Sequence, residues 1–182
     1  MARYVALFRG INVGKAKRIA MADLRKLLEK LGHTDVKTLL NSGNAVFTAA
    51  GGTANAHARR IHDAVAKQLG VDARVIVKSA QDVAGIMAGN KLGKVASDPS
   101  RLLVAVTDEA RVLAGVKAVA AKAWGAEQVH LGKHAVYVWC ADGILESQAL
   151  GAVLKGLEGG GTTRNWATLG KIHDLLRETG GS

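Results

Sequence analysis

Cysteine, proline and aromatic residues are scarce in this 182-residue chain: one Cys, one Pro, three Trp, two Tyr and two Phe. The single Cys140 cannot form an internal disulfide, so a disulfide framework is set aside and a reducing, cytoplasmic setting is expected. No apolar run approaches the roughly 20 residues of a membrane-spanning helix. The opening MARYVALFRG also lacks the long apolar stretch and cleavage site of a signal peptide, so no membrane partner is expected. Motifs that would announce a reaction are missing as well: G-x-S-x-G, H-E-x-x-H, C-x-x-C and the dinucleotide fingerprint do not occur. His57 and His62 stand five apart and do not share a helical face, while His130 and His134 flank a tight turn without a second pair. Neither metal nor cofactor is expected, and Cys140 reads as core rather than nucleophile.

Acids are outnumbered too, 15 against 25 Lys and Arg, for a net charge of +10. Residues 1–30 hold eight bases and two acids, so +6 of that charge sits in the first sixth of the chain. Such a balance favours polyanionic partners and says nothing about fold. With 48% apolar residues the chain has ample material for a packed core, which excludes disorder.

The apolar pattern is ordered. RYVALF (3–8) reads as a strand, and Met21, Leu24, Leu27, Leu28 and Leu31 recur at helical spacing up to the stop at Gly32. VKTLL (36–40) and NAVFT (44–48), joined by NSGN, predict a hairpin. Thr53 is placed to cap an alanine-rich helix that Gly70 closes, and ARVIVK (73–78) is the next strand. The order β-α-β-β-α-β is that of a ferredoxin-like subdomain over 1–78. Ser79 with Asp82 predicts a capped linking helix, and 79–100 reads as a connection carrying the one proline, Pro99.

From 101 to 182 the plan partly repeats: a strand RLLVAV, a helix over about 108–123, a hairpin turning at Gly132-Lys133, and a helix over about 145–157. The fourth strand is expected to be missing. In its place stands GGGTTRNWATLGK (159–171), followed by a helix with Trp166, Leu169, Ile172, Leu175 and Leu176 on one side. The expectation is thus an α+β protein of two tandem ferredoxin-like subdomains, the second ending in an extra C-terminal helix. Strand segments such as VALF, LLVAV and AVYVW are apolar at successive positions, so both faces of each sheet should be covered.

GINVGK (10–15) invites comparison with the phosphate-binding loop G-x-x-x-x-G-K-[ST]. It is one residue short between the glycines and lacks the hydroxyl after the lysine, so ATP binding is rejected. A glycine-flanked turn beside Lys15, Lys17 and Arg18 still offers backbone N–H groups and cations to an anion. In TTRNW, Thr162, Thr163 and Asn165 suit a helix cap and Arg164 a bidentate anion contact, while Trp166 can anchor a core; ligand site and latch stand level. Tyr4, Phe8 and Phe47 share one sheet face, the geometry by which RNA-recognition domains stack bases, although the matching RNA-binding signature is absent.

LFRGINVGKAKRIAMADLRKLLEKLGHTDVKTLLNSGNAVF (7–47) together with TTRNWATLGKIHDLL (162–176) resembles the bacterial family catalogued as domain of unknown function sixteen ninety-seven. The words R-G-I-N-V-G, S-G-N and T-T-R-N-W occur in order and nearly span the chain. Where the family usually carries a second glycine and an asparagine, this chain has Lys15 and Ala167. The resemblance implies a cytoplasmic bacterial protein of two α+β subdomains and implies no activity. Carried over by position, its motif residues are Arg9, Gly10, Asn12 and Gly14, then Ser42, Gly43 and Asn44, then Thr163, Arg164, Asn165 and Trp166.

Three functions remain open. The first is a non-catalytic binder of an anionic ligand, nucleic acid foremost, through Arg9, Asn12, Lys15, Asn44, Arg164 and Asn165. The second is an enzyme holding a phosphorylated or carboxylated small molecule in an interdomain cleft, where Arg9, Asn12, Asn44, Arg164 and Asn165 are expected to converge. The third is a structural latch between the subdomains. The oligomeric state is left open.

Overall fold

The computed structural model describes residues 1–178, and its contacts divide the chain into two units, Met1–Val83 with Ile172–Ser182, and Ala84–Lys171. The protein is α+β, with one four-stranded antiparallel sheet in each unit.

In the first unit the chain order is β1 (Ala2–Phe8), α1 (Met21–Lys30), β2 (Thr34–Leu39), β3 (Asn44–Ala49), α2 (Ala54–Leu69) and β4 (Val75–Ser79). The strands lie in the order β2-β3-β1-β4. Local chemistry sets the boundaries. Thr53 accepts from the Ala56 amide at 3.2 Å to start α2, and Gly70 ends it in the left-handed conformation that glycine adopts without penalty. The amphipathic α1 buries Leu24, Leu27 and Leu28, and α2 buries Ile61, Ala64 and Val65. Both helices share one core with Tyr4, Ala6, Phe8, Ala45 and Phe47 from the sheet. The opposite face, carrying Val5, Leu7, Val46 and Ile76, is buried too, which explains why these strands do not alternate.

Helix α3 (Ala80–Ala88) begins in the expected capping box: Ser79 N–H donates to Asp82 Oδ2 at 2.9 Å, and Asp82 N–H to Ser79 Oγ at 3.1 Å. The second unit follows with β5 (Leu102–Thr107), α4 (Ala110–Leu113), a 3₁₀ turn over Ala114–Val116 and α5 (Lys117–Ala121). Next come β6 (Gln128–Leu131), β7 (Val136–Trp139), α6 (Gln148–Gly156) and β8 (Gly161–Asn165), leading into α7 (Trp166–Arg177). The sheet order is β6-β7-β5-β8. Leu103, Ala105, Val136, Val138 and Cys140 pack against Leu150 and Val153 of α6, while Leu102, Val104, Val106 and Tyr137 on the other face are equally buried.

Two expectations for this region are corrected. The helix predicted over 108–123 is broken into α4, the 3₁₀ turn and α5. Gly115 explains the break: a Cβ there would collide with the Gly156 carbonyl oxygen, so the backbone tightens where it meets α6. The fourth strand is present. Thr162, Thr163 and Arg164 form β8, pairing antiparallel with Val106, Ala105 and Val104, even though polar residues hold most of its length. Tertiary pairing with the apolar β5 recruits Thr162 and Thr163, whose branched side chains suit a strand, despite the flanking Gly161 and Asn165.

Candidate functional site

The residues of R-G-I-N-V-G and S-G-N come together at one end of the first sheet, where β1 stops, β2 turns into β3 and β4 begins. Phe8 N–H donates to the Gly43 carbonyl at 2.9 Å, and Arg9 N–H to the Arg74 carbonyl at 2.9 Å. Asn12 binds the loop of residues 9–19 to that turn. Its Oδ1 accepts from the Ile19 amide at 2.8 Å, and its Nδ2 donates to the carbonyls of Ile19 (2.9 Å) and Asn41 (2.8 Å). Asn44, fully buried at the start of β3, donates to the Leu39 carbonyl at 2.8 Å and to Ser42 Oγ at 3.3 Å.

Gly43 is required by space as well as by conformation. At φ 93° it faces the β1 end so closely that a Cβ would lie 2.6 Å from Ile11 Cδ1 and 2.8 Å from Phe8 Cβ. Backbone strain gathers here: among the described residues five non-glycine residues have positive φ, and Asn12 (55°), Lys17 (49°) and Leu40 (59°) are three of them. Such conformations persist only where surrounding bonds over-determine them, which is the role of the Asn12 amide.

On this scaffold Arg9, Lys15, Lys17, Arg18 and Arg74 are all exposed. Between Arg9 and Ala20 there is no acid. Arg18 donates to the Gly14 carbonyl at 3.1 Å, which bends its side chain back over the loop. Val13 (72% exposed) and Leu40 (49%) stand among these cations as bare aliphatic tips. Of the predicted site residues, then, Arg9, Asn12, Lys15 and Asn44 share one end of the sheet. Arg9 and Lys15 are exposed, while the Asn12 amide bonds to backbone groups and Asn44 donates to the Leu39 carbonyl and Ser42 Oγ. Nothing in the sequence points to Arg74, because only the pairing of Phe8 with Val75 brings it beside Arg9.

Arg164 and Asn165 belong to the second unit and do not occupy a loop. Arg164 is the fourth residue of β8, opposite Val104, and is 8% exposed. Its Nη1 donates to Thr162 Oγ1 at 3.0 Å and to the Thr163 carbonyl at 2.7 Å, and burial pulls its guanidinium down to about 10, still charged at neutral pH. Asn165 caps α7, its Oδ1 accepting from the Thr168 amide at 2.8 Å. Trp166, the first residue of α7, is half-buried.

The aromatic platform predicted for base stacking is also corrected. Tyr4, Phe8 and Phe47 lie on the helix-covered face, buried with Leu24, Leu28 and Ile61. Two histidines join them unannounced by the sequence: His33 and His57 are 4% and 5% exposed, with ring centroids 5.2 Å apart, and the buried Nε2 atoms of both find no hydrogen-bond partner among the described residues. Burial holds both below the usual histidine value, His33 at about 4.

In the second unit an open depression of about 400 Å³ is lined by Arg111, Gly115, Gly156 and Glu158, and both charged residues are exposed. Among the described residues no group of three or more His, Cys, Asp or Glu side chains is placed to hold a metal ion, and no helix is long and apolar enough to cross a membrane.

No curated protein matches this chain. The structure of the conserved bacterial protein SP0830 from Streptococcus pneumoniae is similar to it, with a TM-score of 0.74 and 23% identity over 97% of this chain and 99% of that one, a likeness of fold. Residues 1–137, which include the whole strained loop end and its basic residues, match the family model described as "Protein of unknown function (DUF1697)", and the chain belongs to that family.

Proposed function

We propose that this chain is a non-catalytic binder of an anionic ligand, with nucleic acid the ligand its chemistry fits best, and that the binding surface is the basic end of the first sheet. One observation carries the reading: five exposed cations, Arg9, Lys15, Lys17, Arg18 and Arg74, gather at the end of the sheet where the side-chain bonds of Asn12 and Asn44 pin the loops. Clustered Lys and Arg release counterions from a polyanion and so bind it with steep salt dependence. A rigid carrier spares the entropy of ordering a loop on binding. The surface needs only residues of the first unit; Asn12 and Asn44 act as its frame.

The strand order and the β-α-β-β-α-β sequence of elements support reading the units as two ferredoxin-like modules, with 1–78 and 101–182 as subdomains and 79–100 as their connection. The buried lone thiol Cys140 suits a reducing cytoplasm.

The test is fluorescence anisotropy of labelled oligonucleotides with nucleic-acid-free protein over a salt series, comparing the wild type with a Lys15→Ala/Lys17→Ala/Arg18→Ala variant. Binding that weakens steeply with salt and falls at least tenfold in the variant, with its unfolding temperature kept, is the expected result. Equal affinity of the two proteins would remove this surface from the reading.

A further inference from the structure

Resting on that reading, the geometry points to a more specific ligand: we infer that the basic end of the first sheet grips double-stranded nucleic acid through its phosphates, without base readout, and sets Val13 and Leu40 against the sugar edges of a groove.

Single strands are held chiefly by stacking their bases on aromatic faces. No Tyr, Phe or Trp ring of the first unit is exposed. Tyr4, Phe8, Phe47, Tyr137 and Trp139 are buried, Trp124 and Trp166 are half-buried, and neither of those two belongs to the first unit. What the basic end does present is cations and aliphatic tips. Cations on phosphates position a protein on a duplex and carry no sequence information. Aliphatic side chains have no π-face for stacking, yet proteins that bind the minor groove of a duplex set apolar tips such as Leu into it. Val13 and Leu40 are placed for that contact, standing exposed on two loops that the Asn12–Asn41 bond fastens together. Leu40 holds its tip outward from a left-handed backbone, φ 59°, that a leucine seldom adopts.

The experiment compares three probes at about 50 to about 200 mM salt: a labelled duplex of mixed sequence, its single strand, and phosphatidylglycerol vesicles. Preference for the duplex is expected, independent of its sequence, with a logarithmic salt slope of about −3 from Lys15, Lys17 and Arg18, and a slope smaller by about 1 in Lys17→Ala. A Val13→Ser/Leu40→Asn variant should weaken duplex binding several-fold with the slope unchanged. Asn accepts a left-handed backbone better than Leu, so this variant keeps the fold, as its unfolding temperature will record. Equal or tighter binding of the single strand, or full duplex affinity in the aliphatic variant, would overturn the inference while leaving the polyanion reading in place. Binding to vesicles alone, or to none of the probes, would overturn both.

Discussion

The Nδ2 atom of Asn12 donates to the main-chain carbonyl of Asn41 at 2.8 Å, joining a loop that follows the first strand to a hairpin turn 29 residues later. The same amide closes its own loop onto Ile19 in both directions. One side chain thereby supports the strained backbone on which the exposed cations stand. Asn12→Ala is expected to cost about 1–3 kcal/mol, since it strips three bonds and leaves the Ile19 amide without its acceptor. Chemical denaturation will give the loss. Hydrogen exchange should show faster exchange at Ile19 in the variant with the α2 amides little changed.

Gly43 meets β1 from the other side of that turn. Gly43→Ala must place a methyl 2.6 Å from Ile11 Cδ1 while holding φ near 93°. Left-handed strain and overpacking together are expected to destabilise the protein by about 2–4 kcal/mol. Gly14→Ala is the comparison: its φ is 62° but no atom lies within 4 Å of the added carbon, so only the conformational part, about 1–2 kcal/mol, should be lost. Equal losses in urea would show that the contact with Ile11 relaxes freely.

His33 and His57 make the fold sensitive to acid. Their rings pack against Tyr4 and Phe47, and the Arg60 guanidinium adds to the cost of charging either one. Burial lowers both pKa values in the folded protein, so between pH 6.5 and about 4 the unfolded chain binds protons that the folded chain refuses. The stability contributed by neutral His33 is therefore complete above about pH 6.5 and declines as pH falls toward 4. Thermal unfolding between these values should show a falling midpoint. His33→Phe, which keeps the ring contact with Phe47 and cannot be protonated, should flatten that fall; an unchanged pH profile would place the acid sensitivity elsewhere.

Arg164 is charged and 8% exposed, so its bonds to Thr162 and Thr163 matter more than surface bonds do. Arg164→Ala is expected to lower stability by about 2–3 kcal/mol through lost packing of the stem and lost hydrogen bonds. Arg164→Lys should recover less than half, because an ammonium lacks the planar donor fork. Equilibrium unfolding gives both values, and a neutral Arg164→Ala would argue that the buried guanidinium is held at no net benefit.

Much of the chain was legible because its signals are local. Helical periodicity placed Leu24, Leu27 and Leu28 on one side of α1, Thr53 and Gly70 bounded α2, and Ser79 with Asp82 announced α3, since each rests on bonds or spacings within a few residues. Sequence also determined the α+β class, the doubly buried strands and the concentration of positive charge in the first thirty residues. Tertiary structure decided the rest. Thr162, Thr163 and Arg164 became a strand because β5 offered them an open edge, which no window of the polar segment records. Tyr4, Phe8 and Phe47 sit under helices rather than in water because a shared strand face does not say which face the helices take. The basic end of the sheet combines Arg9, the loop that follows it and Arg74, positions 65 residues apart that meet only because β1 and β4 are hydrogen-bonded neighbours. Periodicity and capping act within a turn or two of chain, whereas a binding surface is assembled by strand order, which is settled by the packing of the whole unit.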